Sequence, residues 1–200
     1  MTPLLVSSTH RPGAVLRAAA LTAIGAGAAL AVAHFLNPFL DPGWSVISQY
    51  ALGDQGWILP VAFVLLAAAC SSLAVGLPPG RLRRAGRIGR MLLFVAAAGL
   101  VIAAVFAVGS PLHDVGSLLG NVGLAVGAVL VGRDLRRGLD QRERYWSAAA
   151  AHAPWVCAVQ MGALISTGTW GVGLLNRAVV LAYIVWIVLA TRQVTATAGH

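Results

Sequence analysis

The segment LLFVAAAGLVIAAVFAV, from Leu92 to Val108, decides the fold class. It contains no charged or hydrogen-bonding side chain, so it is apolar on every side. A membrane-spanning strand would alternate between two faces with period two, whereas a helix that crosses a bilayer is apolar over about 20 consecutive residues. The segment therefore predicts a transmembrane helix.

The composition extends this prediction to the whole chain of 200 residues. Hydrophobic residues make up 58% of it, charged residues 10%, and the mean hydropathy is +0.82. Soluble chains carry roughly 25% charged residues, so lipid is the expected solvent. We expect an all-α bundle of six transmembrane helices in one domain over residues 1–200. Six apolar stretches of suitable length lie at 14–36, 57–77, 91–109, 113–132, 147–168 and 174–191.

The arginines predict how the bundle is oriented. All fourteen basic residues are Arg, which together with the high Ala, Gly and Val content is typical of a bacterial protein. Only Arg177 lies on one side of the predicted bundle. Because basic loops stay in the cytoplasm, both termini are predicted to be cytoplasmic, in a bacterial inner membrane. The net charge of +8 is explained by topology, so no nucleic-acid partner is expected. The thirteen arginines on the predicted cytoplasmic side are Arg11, Arg17, Arg81, Arg83, Arg84, Arg87, Arg90, Arg133, Arg136, Arg137, Arg142, Arg144 and Arg192.

The first span has an alternative interpretation. Ala31-Val-Ala33 is a small-x-small pattern that signal peptidase could cut, which would leave five spans. The apolar run continues past this point through Phe35 and Leu36, which favours an uncleaved first span.

The fourth span has a face of small residues beside a ridge of polar ones. His113, Ser117 and Asn121 recur every fourth residue and favour hydrogen bonds between helices over a ligand path. The small residues let a neighbouring helix approach closely, either within the chain or in a homodimer or another membrane-protein partner. They are Gly116, Gly120, Gly123 and Gly127.

Neither a metal nor another cofactor is predicted. The sequence contains no His-x-x-x-His or His-Glu-x-x-His pair. Cys70 and Cys157 fall in mid-span and are interpreted as packing residues. His152 and Gln160, in the fifth span, do not lie level with the polar groups of the outer side.

The first outer loop, residues 37–57, is the most distinctive segment of the chain. Asp41-Pro-Gly43 is typical of a turn, and the residues after it are predicted to form a short helix with Trp44, Ile47 and Ala51 facing the bilayer. We interpret four residues as an aromatic belt at the membrane surface: Trp44, Tyr50, Trp57 and Trp170.

Polar and charged residues cluster on the outer side. Arg177 is expected to reach the headgroups or to pair with Asp114, Asp54 or Asp41. The cluster is interpreted first as structural and second as a pocket. The catalytic candidates are His113, Asp114 and Arg177. The ligand-binding candidates are His34, Asp41, Tyr50, Asp54, Ser117, Asn121 and Asn176.

Three segments resemble the membrane family called domain of unknown function 998, over nearly the whole chain. They are SQYALGDQGW (Ser48 to Trp57), the passage from Phe106 to His113, and GLLNR (Gly173 to Arg177). The resemblance implies a six-span fold in a bacterial or archaeal membrane and no established reaction. Many members have Phe-Pro-Thr-Asp after the third span, where this chain has Phe106-Ala-Val-Gly109. If that Asp serves a shared activity, it is lost here or replaced by Asp114.

Three classes of function remain open. The first is a structural or accessory membrane component that associates through small-residue helix faces. The second is a small transporter or lipid-binding protein, with a cavity around His113, Ser117 and Asn121. The third is an interfacial hydrolase, with His113 as general base, Asp114 orienting it and Arg177 binding an anion such as a lipid headgroup. No complete catalytic constellation is present, so the sequence does not predict an enzyme.

Overall fold

A computed structural model describes residues 12–196, so Arg11 lies outside the described residues. This part of the chain contains helices and no β-strand. Two 3-10 helices, Ile47–Leu52 and Pro79–Arg81, lie in the connections between the long helices. The long helices are α1 (Pro12–Leu36), α2 (Ile58–Gly76), α3 (Arg84–Val105), α4 (Pro111–Leu135), α5 (Gln141–Thr167) and α6 (Val172–Ala196).

All six long helices are long and apolar enough to cross a membrane, which confirms the predicted six-span bundle. Several of them extend beyond the predicted apolar stretch. For example, α3 begins at Arg84 and α5 at Gln141, because arginine and glutamine are good helix formers that continue a helix into the headgroup region.

The two ends of the bundle differ in charge. We call the end with the α2–α3 and α4–α5 connections and the last turn of α6 the basic end. The opposite end, with residues 37–57 and the α3–α4 and α5–α6 connections, is the loop end. Which end faces the cytoplasm stays a prediction.

Local sequence signals define where α4 and α5 begin and end. Ser110 precedes Pro111, and its Oγ accepts a hydrogen bond from the His113 amide at 3.2 Å. Asp140 caps α5 in the same way, through the Glu143 amide at 2.8 Å. Gly168 ends α5 with φ of 62°, a left-handed conformation that glycine adopts without strain.

The glycine stripe of α4 packs against α3 of the same chain. A Cβ placed on Gly116 would lie 2.7 Å from the Ala103 amide nitrogen, and one on Gly99 would lie 2.5 Å from the Gly120 amide nitrogen. Gly123 and Gly127 likewise face the α3 backbone, each at 3.0–3.1 Å. The interpretation of the stripe as a packing surface within the chain is therefore confirmed, and the stripe is not exposed for a homodimer.

The six helices are not equally buried. Helices α2 and α4 bury the largest share of their apolar stretch and α5 the smallest. The core contains leucines and alanines from α1 to α4 together with Tyr183, Trp186 and Ile187 of α6. Cys70 is buried in this core, as expected for a packing residue, and Cys157 is half-buried. His152 and Gln160 are exposed on α5.

A buried aspartate connects two loops at the basic end. Oδ2 of Asp134 accepts a hydrogen bond from the Arg83 amide at 2.8 Å, and Oδ1 forms an ion pair with Arg137 at 2.5 Å. Nη1 of the neighbouring Arg136 is buried and has no hydrogen-bond partner among residues 12–196. Burial lowers the pKa of Arg136, and the nearby charge of Arg133 lowers it further.

Candidate functional site

The loop of residues 37–57 is folded against the start of α6. Oδ1 of Asp41 accepts a hydrogen bond from the Gly43 amide at 2.6 Å, which closes the turn predicted from the sequence. The Gly43 carbonyl then accepts hydrogen bonds from the amides of Gly171 at 3.0 Å and Gly173 at 2.9 Å. A Cβ on Gly43 would overlap the indole of Trp170, so the close approach requires glycine.

Asn176 and Asn37 hold the rest of this loop. Oδ1 of Asn176 accepts a hydrogen bond from the Ile47 amide at 2.8 Å, which fixes the start of the 3-10 helix. Nδ2 of Asn37 donates to the Ala33 carbonyl at 2.7 Å, and its buried Oδ1 lies against Gly53, where a Cβ would overlap it. The 3-10 helix is therefore attached to both α1 and α6.

Arg177 is the centre of the loop-end site. Its Nη1 donates to the carbonyl oxygens of Pro42 at 3.0 Å, Ser45 at 2.7 Å and Gly173 at 2.8 Å. These acceptors are neutral, and Arg177 forms no ion pair with Asp114, Asp54 or Asp41 in the described residues. The guanidinium is thus held in place while its positive charge has no acidic partner among residues 12–196.

Tyr50 connects Arg177 to His34. Nη2 of Arg177 donates to the Tyr50 hydroxyl at 2.5 Å, and the same hydroxyl is 2.8 Å from Nδ1 of His34. The guanidinium carbon also lies 5.3 Å from the centre of the Tyr50 ring, within range of a cation–π interaction. Tyr50 is only 1% exposed, so it is not part of the aromatic belt in which the sequence placed it.

The short helix faces inward. Ile47 and Tyr50 are buried in a small core with Ala33, Ile58 and Leu59, whereas Leu52 is exposed. The expectation that Ile47 faces the bilayer is therefore wrong. A 3-10 helix has three residues per turn, so Ile47 and Tyr50 lie on one face, and the hydrogen bonds of Asn176 and Arg177 orient that face toward the bundle.

A groove between α1 and α6 begins at these polar groups. It has a volume of about 180 Å³. His34, Tyr50 and Arg177 line one end, and the remaining lining residues are apolar: Gly27, Leu30, Ala31, Ile47, Val180, Leu181 and Ile184. Nε of Arg177 is buried and has no hydrogen-bond partner in the described residues. The Nε–Nη2 edge of a guanidinium is one of the edges with which arginine binds a carboxylate or phosphate in a bidentate way.

His113 and Asp114 differ in their surroundings at the start of α4. His113 is buried, and its Nδ1 donates to the Ala103 carbonyl at 2.9 Å, because a carbonyl can only accept. Asp114, the next residue, is exposed. The contacts of His113 are with α3 and Phe63, while those of Arg177 are with Tyr50 and the loop. The structure gives no direct contact between the three catalytic candidates.

Ser117 and Asn121 belong to a second, smaller cavity. This cavity has a volume of about 50 Å³ and is also lined by Tyr183. The Tyr183 hydroxyl donates to the Asn121 carbonyl at 2.9 Å, and the Asn121 side chain donates to the Ser117 carbonyl at 2.9 Å. Tyr183 and the α4 backbone therefore connect α4 to α6, whereas the Asn121 side chain bonds within α4. Asp54 is exposed in the loop, and no group of three metal-ligating side chains occurs in residues 12–196.

A family model described as a protein of unknown function (DUF998) matches residues 17–193. The chain belongs to this family. Two of the segments in which the resemblance was recognised, Ser48 to Trp57 and Gly173 to Arg177, meet in this DUF998 protein at the Tyr50–Arg177 hydrogen bond. No curated protein and no solved structure matches the chain.

Proposed function

We propose that this DUF998 protein binds a carboxylate-headed amphiphile, such as a long-chain fatty acid, in the groove between α1 and α6. The observation that carries the proposal is Arg177, which lines the polar end of an apolar groove and whose buried Nε has no hydrogen-bond partner among residues 12–196. Arg177 supplies one positive charge without an acidic partner in the described residues, and a single carboxylate would balance it.

The size of the groove supports a small headgroup. Pockets that enclose a whole drug-sized ligand have about 300–1,000 Å³, and this groove has about 180 Å³. It is therefore suited to a carboxylate and the first part of an apolar chain, with the rest of the chain lying along Leu181 and Ile184 in the bilayer.

Two variants test the proposal. Lysine at position 177 keeps three N–H donors for the carbonyls of Pro42, Ser45 and Gly173 and removes the bidentate edge. Ala31 is exposed and lines the groove, so a phenylalanine side chain at this position would fill the groove. We expect Arg177→Lys and Ala31→Phe each to weaken oleate binding by roughly tenfold or more in titrations of the detergent-purified protein followed by native mass spectrometry.

Val32→Phe is the matched control. Val32 is exposed on the same helix and does not line the groove, so the same side chain there should leave oleate binding unchanged. Equal weakening by Val32→Phe, or unchanged binding in both test variants, would contradict the proposal.

A second candidate is the accessory membrane component that associates through a small-residue face. Ala158, Gly162 and Ser166 recur every fourth residue on α5, and a Cβ on Gly162 would have nothing within 4 Å. The other glycines inside the spans contact neighbours in the chain, apart from Gly13 at the start of α1. Gly162 therefore favours a second copy or another membrane protein against α5.

Crosslinking in native membranes tests this candidate. We expect Gly162→Leu to abolish a crosslinked dimer or partner complex, because a large side chain keeps the helices apart. Ala163→Leu, which is turned by about 100° on the helix, should leave the complex intact. A monomer alone in the unsubstituted protein would argue against it.

As part of both proposals, we place the protein in a bacterial plasma membrane with its basic end in the cytoplasm, because of the arginine distribution.

A further inference from the structure

A larger cavity lies at the basic end, on the opposite side of the membrane from Arg177. It has a volume of about 740 Å³ and is formed by the start of α1, the end of α2 with the turn after it, and the end of α6. This volume lies within the range of pockets that enclose a small-molecule ligand. None of its residues belongs to the loop-end site.

The charge of this cavity is one-sided. Among the residues that the structure describes, three arginines line it, Arg17, Arg81 and Arg192, and no Asp or Glu does. The guanidinium groups of Arg17 and Arg192 form no ion pair with a carboxylate of residues 12–196. Each of the three comes from a different element, so the fold assembles positive charge that is scattered through the sequence.

The walls of the cavity are apolar. Leu16 and Leu77 are buried beside it, Val75 and Val194 complete the sides, and Pro78 gives the α2 end a fixed backbone. An occupant with only a charged group would leave these walls without a partner. The combination of a basic rim and apolar walls selects an amphiphile with an anionic headgroup.

We infer that this cavity binds the phosphate headgroup of a phospholipid from the leaflet at the basic end. A phosphate has several oxygens that accept from more than one guanidinium, which suits a rim with Arg17 and Arg192 better than a single carboxylate does. The glycerol and the first methylene groups would lie against the apolar walls. The inference rests on different residues from the proposed function and stands independently of it.

Binding of dioleoyl phosphatidylglycerol to the purified full-length chain, followed by native mass spectrometry, tests the inference. We expect Arg17→Gln/Arg192→Gln to weaken this binding by roughly tenfold or more. The control, Arg84→Gln/Arg87→Gln, removes the same charge from exposed residues of the basic end that do not line the cavity. It should change the affinity by less than about twofold.

Two further ligands distinguish the contribution of the headgroup to binding from that of the acyl chains. Glycerol 3-phosphate alone should bind far more weakly than the lipid, and dioleoyl phosphatidylcholine, which has no net charge, should also bind more weakly. Equal weakening by both double variants would overturn the inference, because surface charge alone would then explain binding. Tight binding of glycerol 3-phosphate would also overturn it, since the ligand would then be a soluble phosphate.

A measurement on the unsubstituted protein avoids any effect of the variants on folding. Phosphatidylglycerol should protect Arg17 and Arg192 from modification by phenylglyoxal, as mapped by peptide mass spectrometry, and should leave Arg84 and Arg87 reactive. Uniform protection would contradict the inference. Ala31→Phe, which blocks the loop-end groove, should leave this protection unchanged, so the two sites succeed or fail separately.

Discussion

Nη2 of Arg177 lies 2.5 Å from the Tyr50 hydroxyl, although 127 residues separate the two in sequence. This hydrogen bond joins the last helix of the bundle to the loop after the first helix. It also connects the guanidinium, through the same hydroxyl, to His34. The polar end of the α1–α6 groove therefore depends on one phenol oxygen.

Removal of that oxygen should destabilise the protein. Tyr50→Phe keeps the buried ring and leaves Nη2 of Arg177 and Nδ1 of His34 without this partner, which should cost about 1–3 kcal/mol of unfolding free energy. Thermal or denaturant unfolding in detergent measures it. Tyr145 is 67% exposed, so Tyr145→Phe should change stability by less than about 0.5 kcal/mol. An equally small effect of Tyr50→Phe would show that the hydroxyl is dispensable.

Alanine should have opposite effects at two helical glycines. In Gly99→Ala the Cβ would lie 2.5 Å from the Gly120 amide nitrogen, so α3 and α4 must separate, at a cost of about 1–3 kcal/mol. In Gly162→Ala the Cβ has nothing within 4 Å, and the gain in helix propensity should stabilise the monomer by up to about 1 kcal/mol. Unfolding of the two variants under the same conditions tests the difference in sign, and two changes of equal sign would contradict it.

Asp134 should be important for the basic end. Asp134→Ala leaves the Arg83 amide without its side-chain acceptor and removes the partner of Arg137, so we expect a loss of about 2 kcal/mol in unfolding free energy. Asp54 is exposed in the loop, and Asp54→Ala should have little effect. Similar stabilities of the two variants would mean that the contacts of Asp134 do not stabilise the fold.

The orientation is tested by the accessibility of single cysteines. A cysteine at Gly138 would strain the loop, because Gly138 has φ of 96°. A cysteine at Ser110 would remove the side chain that caps α4. The exposed residues Arg142 and Ala107 are therefore better positions for a single cysteine. In a Cys157→Ala background, we expect Arg142→Cys to be labelled only from the cytoplasm and Ala107→Cys only from outside. Labelling of both positions from one side would contradict the six-span topology.

The helices were predictable from the sequence because a span such as Leu92 to Val108 is apolar on all sides, a signal that needs no tertiary information. The partners of Arg177 were not, since the sequence suggests an aspartate and the structure supplies three carbonyl groups and Tyr50. Every residue has a backbone carbonyl that can accept a hydrogen bond, so no sequence motif predicts which carbonyls Arg177 contacts. Tyr50 was a candidate, but its position near two tryptophans favoured the membrane surface.

The basic-end cavity was also hidden in the sequence. From the sequence, the three arginines of this cavity are interpreted as topology determinants: Arg17, Arg81 and Arg192. That interpretation explains which side of the membrane they lie on, but it does not explain why they line the same cavity. Only the packing of α1, α2 and α6 brings the three together. The exposure of α5 was similarly unpredictable, because its small residues resemble those that α4 uses inside the bundle.

The carbonyl of Pro42 accepts a hydrogen bond from Arg177, which is synthesised 135 residues later. At 5–20 residues per second, this interval is roughly 7–27 s. Until α6 inserts, the loop between the first two spans has neither Arg177 nor Asn176 to hold it. A ribosome that stops before α6 would therefore leave five helices in the membrane and no loop-end groove. The groove therefore forms only after α6 has inserted, so a ligand at this site would bind no earlier intermediate of synthesis.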